Sequence, residues 1–345
     1  MRPHTFIIAE AGVNHNGSDE MALRLVEVAA DSGADAVKFQ TFSADRLVRR
    51  GAPKAEYQKQ ATDNGDQYDM LKALEMSEQL HRAIVRRCNE LGIEFMSTAF
   101  DEQSLDMLID LGIRRIKVPS GEITNLPFLR YMGRTGLPLI VSTGMATLQE
   151  VQNAVEVIGA ARAGAGHTAP MADSVTILHC TSNYPALPRD VNLLAMRSLA
   201  EATKLPVGYS DHTLGVAIST AAVAMGAGII EKHFTLDRSL PGPDHAASLD
   251  PQELKALVQA IRDVELGMGD GIKQPTASEL QVRDLVRRSA TAARDIAADA
   301  FLVDEDIALM RPGTGIAPAD LGKLYGRQAA RSIPAGETLS WSDLK

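Results

Sequence analysis

Several common features are missing from this sequence, and each absence removes a class of protein. No apolar run approaches the ~20 residues needed to cross a bilayer as a helix, so no membrane span is expected. Two cysteines, Cys88 and Cys180, are too few for a disulfide framework and lack metal-site spacing, which predicts two reduced, buried thiols. There is no basic excess: 35 Lys and Arg stand against 44 Asp and Glu, a net charge of −9. That balance argues against nucleic acid as a partner. It is compatible with a local cationic pocket, because overall charge says little about one cleft. The opening stretch MRPHTFIIAEAG has neither the apolar core nor the small-residue cleavage site of a signal peptide, and a cytoplasmic location is expected.

What is present is a rhythm. Eight short apolar runs each precede a helical pattern: TFIIAE from 5, DAVKFQ from 35, IEFMSTAF from 93, RRIKVPSGE from 114, PLIVSTG from 138, SVTILHCTSNYP from 174, PVGYSDH from 206 and IIEKHF from 229. Ser18 is placed to cap the first helix, over Asp19–Asp31, where Met21, Leu25, Val28 and Ala29 recur at helical spacing. Eight β/α units over about 260 residues is the arithmetic of a (β/α)8 TIM barrel. An open doubly wound sheet is the alternative, but no GxGxxG-type turn follows the first strand. Residues 1–267 therefore read as the barrel. Residues 268–286, Gly- and Pro-containing, read as a linker. Residues 287–345 read as a small β-rich domain with helical turns around Asp304–Asp306 and Pro318–Tyr325, too short for a secure core of its own. The polar segment 41–76 is too long for an ordinary barrel loop and reads as a functional lid.

Polar residues collect at the strand C-termini, where barrel active sites form. Taken singly, His212 or His233 is more often a structural histidine. Placed together at the ends of adjacent strands, they point to a divalent metal with open positions for substrate oxygens. His15 and His245 are further candidates in loops; His179 reads as core, and His4, His81 and His167 as surface. Lys117 stands at the mouth with Thr98, Ser120, Ser142, Ser182 and Ser210, a set suited to cradling an oxyanion. A Schiff-base aldolase using Lys117 or Lys232 and no metal is one alternative; a non-catalytic sugar-acid-binding protein is another. Glu10 closes an apolar strand and is the leading catalytic carboxylate. Glu122 is divided between helix capping and substrate contact, and Asp244 lies in a Pro/Gly-stiffened loop able to reach the same mouth.

The motifs AEAGVNHNGS, DAVKFQTF, APKAEYQ, FMSTAFD, KVPSGEITNLP, STGMAT, HCTSNYP, GYSDHT, EKHFTLD and GPDHAAS resemble those of the bacterial sialic acid (N-acetylneuraminate and nonulosonate) synthases. The tail, with RRSATAARDI, RPGTGI and GRQAARSIPAGE, is similar to their C-terminal antifreeze-like (SAF) domain. The resemblance implies condensation of phosphoenolpyruvate with an N-acetylated aminosugar, releasing phosphate. It implies a divalent ion, typically manganese with magnesium and cobalt as alternatives, on His212 and His233. It assigns Thr98, Lys117, Ser120, Ser142, Ser182 and Ser210 to phosphoenolpyruvate; at position 182 some relatives place Asn. Gln40, Glu122, Tyr184 and Asp244 match sugar-binding positions, and Glu10 a carboxylate for proton transfer or water activation. It also implies a domain-swapped homodimer in which Arg311 of one subunit reaches the sugar's N-acetyl group in the other. N-acetylmannosamine, giving N-acetylneuraminate, is the leading acceptor. A 2,4-diacetamido-2,4,6-trideoxymannose, giving N,N'-diacetyllegionaminate, is the alternative.

Overall fold

A computed structural model describes residues 4–62 and 65–345. It divides into two compact units, one ending at Asp270 and one running Gly271–Lys345. The first is the expected barrel. Its strands are β1 (Phe6–Gly12), β2 (Ala36–Thr41), β3 (Glu94–Ala99), β4 (Ile116–Val118), β5 (Leu139–Ser142), β6 (Val175–Cys180), β7 (Val207–Asp211) and β8 (Ile229–His233). They pair in sequence order, and β8 pairs with β1 to close the sheet, all parallel.

The period-2 alternation of strand side chains explains what lies inside. Ile8, Ala36, Met96, Ile140, Leu178 and Ile229 form one buried apolar cluster. Two residues further along the same strands stand Glu10, Lys38, Thr98, Ser142, Cys180 and Glu231, all buried. The barrel thus has an apolar layer and, directly above it, a polar one. Residues of the other parity, such as Ile7, Val37, Val141 and Ile177, join the large core between sheet and helices. The first helix is Asp19–Asp31, capped by Ser18 accepting from Met21 N and burying Leu25, Val26 and Ala29. Truncating Leu25 to Ala there would cost about 2–5 kcal/mol.

Segment 41–76 carries three short helices, Ala44–Leu47, Glu56–Ala61 and Gln67–Lys72, while Asp63 and Asn64 within it lie outside the described residues. Two expectations need correction. His81 is not a surface residue: it is fully buried, bonded through Nε2 to Thr41 Oγ1 at 2.8 Å and through Nδ1 to the Ser77 carbonyl at 2.8 Å. Nor is 268–286 simply a linker, since Ala277–Val286 is a helix with a Thr276/Glu279 capping box.

The second unit pairs β9 (Ser289–Ala292) antiparallel with β10 (Ile307–Met310). Isolated bridges such as Ile296 to Ile333 and Ala329 to Leu344 extend it. The turns at Asp304–Asp306, Pro318–Asp320 and Leu321–Leu324 fall where expected, around a core that includes Ile296, Leu302, Ile333 and Leu339.

Candidate active site

A cavity of about 460 Å³ opens at the C-terminal end of the strands, within the ~300–1,000 Å³ usual for small-molecule sites. Its lining includes Glu10, Gln40, Thr98, Lys117, Ser120, Ser142, Ser182, Tyr184, Ser210, His212, His233 and Asp244, most of the residues singled out from the sequence. Glu122 is not among them; its carboxylate accepts from Asn125 Nδ2 at 2.6 Å, beside the start of helix Leu126–Arg134. Arg311 belongs to the second unit and is exposed there.

The polar layer is a chain of alternating charges. Lys38 Nζ lies 2.7 Å from Glu10 Oε2 and 3.7 Å from Glu231 Oε2, and donates to Thr98 Oγ1 at 2.9 Å. Lys117 Nζ lies 3.2 Å from Glu231 Oε1, which also accepts from Ser210 Oγ at 3.1 Å. The two carboxylates are driven apart. Burial pushes the Glu10 carboxyl up to about 7, against the pull of Lys38. Burial acts the same way on Glu231, but the ammonium groups of Lys117 and Lys38 outweigh it and hold that carboxyl down to about 2. Such separation marks acid–base roles: Glu231 is a fixed anion, and Glu10 is poised to exchange a proton near neutrality.

Ser142 Oγ is buried without a hydrogen-bond partner, a donor free for a ligand. Next to it Gly144 donates from its backbone N to Ser120 Oγ at 3.0 Å. A Cβ on Gly144 would collide with Ser182 Oγ and lie 2.8 Å from Ser120 Oγ. Cys180 Sγ is 3.2 Å from Ser120 Oγ, and burial pushes its thiol pKa up.

On the opposite side, Gly12 has φ +54°, and a Cβ there would lie 3.4 Å from Glu10 Oε1 and Gln40 Nε2 and 3.5 Å from Asp244 Oδ2. These three side chains therefore surround Gly12, whose left-handed backbone favours glycine. Burial raises the Asp244 carboxyl to about 6.

The His212 and His233 rings are 5.5 Å apart, and the Tyr184 ring packs 4.1 Å from His212. Burial lowers the pKa of both histidines, that of His233 well below the usual range, so both are neutral at pH 7. His212 Nδ1 donates to the Thr181 carbonyl at 2.6 Å, which leaves Nε2 as a bare lone pair. His233 Nδ1 is buried and unpartnered, 3.8 Å from Asp244 Oδ2. These donors fit a divalent metal held by two imidazoles. No group of three or more His, Cys, Asp or Glu is arranged as a metal site among the described residues, so substrate or water would complete the coordination. Of the loop histidines, His245 is engaged on both ring nitrogens, by Thr235 and Asn16, whereas His15 accepts from Gly17 N through Nδ1 and keeps Nε2 buried without a partner.

Two of the charged residues lining this cavity, Lys38 and Glu231, carry no assignment from the sequence. The signal lay in IIEKH, where Glu231 and His233 are two apart and share the inward face. The same parity turns Lys232 outward, into a buried pair with Asp211 (2.7 Å) and the Thr213 carbonyl (2.7 Å). Lys232 is therefore no Schiff-base candidate. Lys117, paired to an ionised carboxylate, is suited to anions rather than to imine formation.

Paired buried charges at the strand C-termini place the molecule among barrel enzymes that act on small anionic substrates. The chain belongs to the NeuB family, whose pattern matches residues 25–273, and its tail matches the SAF domain over 287–345. It is 55% identical to the N,N'-diacetyllegionaminic acid synthase of Legionella pneumophila, covering 99% of this chain and 94% of that protein. The synthase of the same name from Campylobacter jejuni is 45% identical, over 97% and 98%. The sialic acid synthetase structure from Leptospira borgpetersenii superposes with TM-score 0.70 at 35% identity, covering 81% of this chain and 90% of that one. The protein is thus a phosphoenolpyruvate-dependent condensing synthase of the nonulosonate type, and synthases of this family depend on a metal.

Proposed function

We propose that this protein condenses phosphoenolpyruvate with 2,4-diacetamido-2,4,6-trideoxymannose and water to give N,N'-diacetyllegionaminate and phosphate. The two relatives named for that product, both matched along nearly their whole length, move the acceptor away from N-acetylmannosamine, the sugar favoured by the motifs alone. The observation that carries the chemistry is the buried Glu10–Lys38–Glu231–Lys117 chain beneath two neutral imidazoles in one cavity.

Lys117, with Thr98, Ser120, Ser142, Ser182 and Ser210, takes the carboxylate and phosphate of phosphoenolpyruvate. Gln40, Tyr184 and Asp244 orient the aminosugar. His212 and His233 would hold a divalent metal, with manganese as the proposed ion, which would supply Lewis acidity toward the acceptor's carbonyl. The bond formed joins C3 of phosphoenolpyruvate to the aldehyde carbon. Protonated Glu10 gives its proton to the aldehyde oxygen as that bond forms, then takes one from the water that adds at C2. Phosphate departs by cleavage of the C2–O bond as the new C2 hydroxyl passes its proton to the leaving phosphate oxygen and becomes the ketone.

The helix Ala277–Val286 leaves Leu280, Val282 and Leu285 exposed, which supports a homodimer with exchanged SAF domains. In that arrangement Arg311 serves the partner's sugar, and Glu122 is assigned to the same subsite. A cytoplasmic location and the division into barrel, connector and SAF domain complete the reading.

The test is phosphate release from phosphoenolpyruvate with manganese and each aminosugar, with and without EDTA. Release with the diacetamido sugar, abolished by chelation, is expected. Absence of release with any acceptor sinks the reading; release with N-acetylmannosamine alone restores the other acceptor.

A further inference from the structure

Three contacts to His212 come from one loop, 181–191, which follows β6. The Thr181 carbonyl accepts from His212 Nδ1 at 2.6 Å. Ala186 N donates to the His212 carbonyl at 2.8 Å, and the Tyr184 ring packs against the imidazole at 4.1 Å. The loop itself is mostly exposed: Asn183, Pro185 and Leu187–Asp190 face solvent, and only Ala186 and Val191 in it are buried.

Its far end is fastened by a side chain outside the cavity. His179 stands on β6 between Leu178 and Cys180, which face the barrel interior, so its ring is turned outward. There it lies against Tyr209, its partner on β7. From that position Nε2 donates to the carbonyl of Val191 at 2.6 Å, at the end of the turn Pro188–Val191. A carbonyl can only accept, so Nε2 carries a proton. A second bond across the ends of the loop, from Thr181 Oγ1 to the Asp190 carbonyl, is long at 3.4 Å and correspondingly weak. Ordering an exposed loop costs conformational entropy. Without the His179 bond that freedom returns to the loop, and with it to the carbonyl and the ring that orient His212.

Resting on the synthase reading above, we propose that His179 is a positioning residue for the metal site. By fastening Val191 it holds the loop where Thr181 and Tyr184 fix the His212 imidazole, and so sets the affinity for the divalent ion without touching it.

The test measures manganese binding directly, through the electron paramagnetic resonance signal of the free ion. Beside it, trypsin cleavage after Arg189, an exposed loop residue, is followed in the metal-free protein. His179→Phe keeps a ring against Tyr209 but has no donor for Val191. It should weaken manganese binding about tenfold, the lower end of what outer partners of a metal ligand contribute. Cleavage should quicken while the melting temperature of the metal-free protein stays close to the parent's, and lost activity should return as manganese is raised. His179→Gln, which keeps an N–H donor, should restore much of the affinity. Should His179→Phe not fold, inserting two glycines between the exposed Leu187 and Pro188 slackens the same tether and should weaken manganese likewise. Manganese affinity equal to the parent's in these perturbed proteins overturns the proposal, whatever cleavage does, and leaves the synthase reading standing. Equal losses in the Phe and Gln variants also overturn it, since ring packing and not the tether would then be the cause. A parent protein that binds no manganese overturns the proposal and the metal of that reading together.

Discussion

Thr98, Lys117, Ser142 and Ser210 stand on β3, β4, β5 and β7, each no more than 4% exposed. Gln67, Met70, Leu71, Tyr184 and Asp244 reach the same cavity from loops and short helices. The first half is fixed by the strand ladder, whose register leaves a side chain no freedom to wander. The second can change without disturbing the barrel. A fold that keeps the anion end on strands and the acceptor end on loops can hold one chemistry while exchanging the sugar.

The largest effects should come from the strand-borne half. His212→Ala or His233→Ala is expected to abolish turnover while the barrel stays folded by circular dichroism. Loss of a mere supporting residue at a metal site costs about 10–100-fold, and a ligand more; full activity in either variant would remove the metal from the histidines. Glu10→Gln should lower kcat by about 10²–10⁴-fold. Because the acid form is the active one and its carboxyl sits near 7, parent kcat should fall as pH rises through that value, and the variant should lose this limb. A pH profile flat from 6 to 8, on the order of one unit either side of neutrality, would sink the assignment. Asp211→Asn leaves Lys232 buried without its carboxylate and should destabilise the barrel by about 3–5 kcal/mol, read as a fall in melting temperature. A neutral result there would show that strand rigidity does not depend on this pair. Gly144→Ala, which drives a methyl between Ser120 and Ser182, should cost about 1–3 kcal/mol, visible mainly as a raised KM for phosphoenolpyruvate.

The barrel was legible in the sequence because eight apolar runs, each ending in polar residues, repeat one local pattern. The two histidines were legible for the same reason: they end the seventh and eighth runs. On the eighth strand the visible landmark is His233, and only its period-2 parity turns Glu231 inward and Lys232 outward; without it Glu231 carries no assignment and Lys232 looks available. His81 misled because a histidine among Glu, Gln and Arg on a helix looks solvated, and only tertiary packing sets it against Thr41. The helix Ala277–Val286 did have a local signal, Thr276 followed three residues later by Glu279, masked by the Gly and Pro before it. The tether from His179 could not be read, since Val191 reaches it only when the loop after β6 folds back.

Both cations on the cavity floor already face an internal anion: Lys38 and Lys117 each stand against the ionised carboxylate of Glu231. The chain as a whole is acidic. An anion diffusing nearby is therefore not drawn in from a distance, and the lysines act on it only after it has entered. Capture of phosphoenolpyruvate should be slower than in enzymes with open cationic funnels and nearly indifferent to added salt, so its kcat/KM should hold steady as ionic strength is raised.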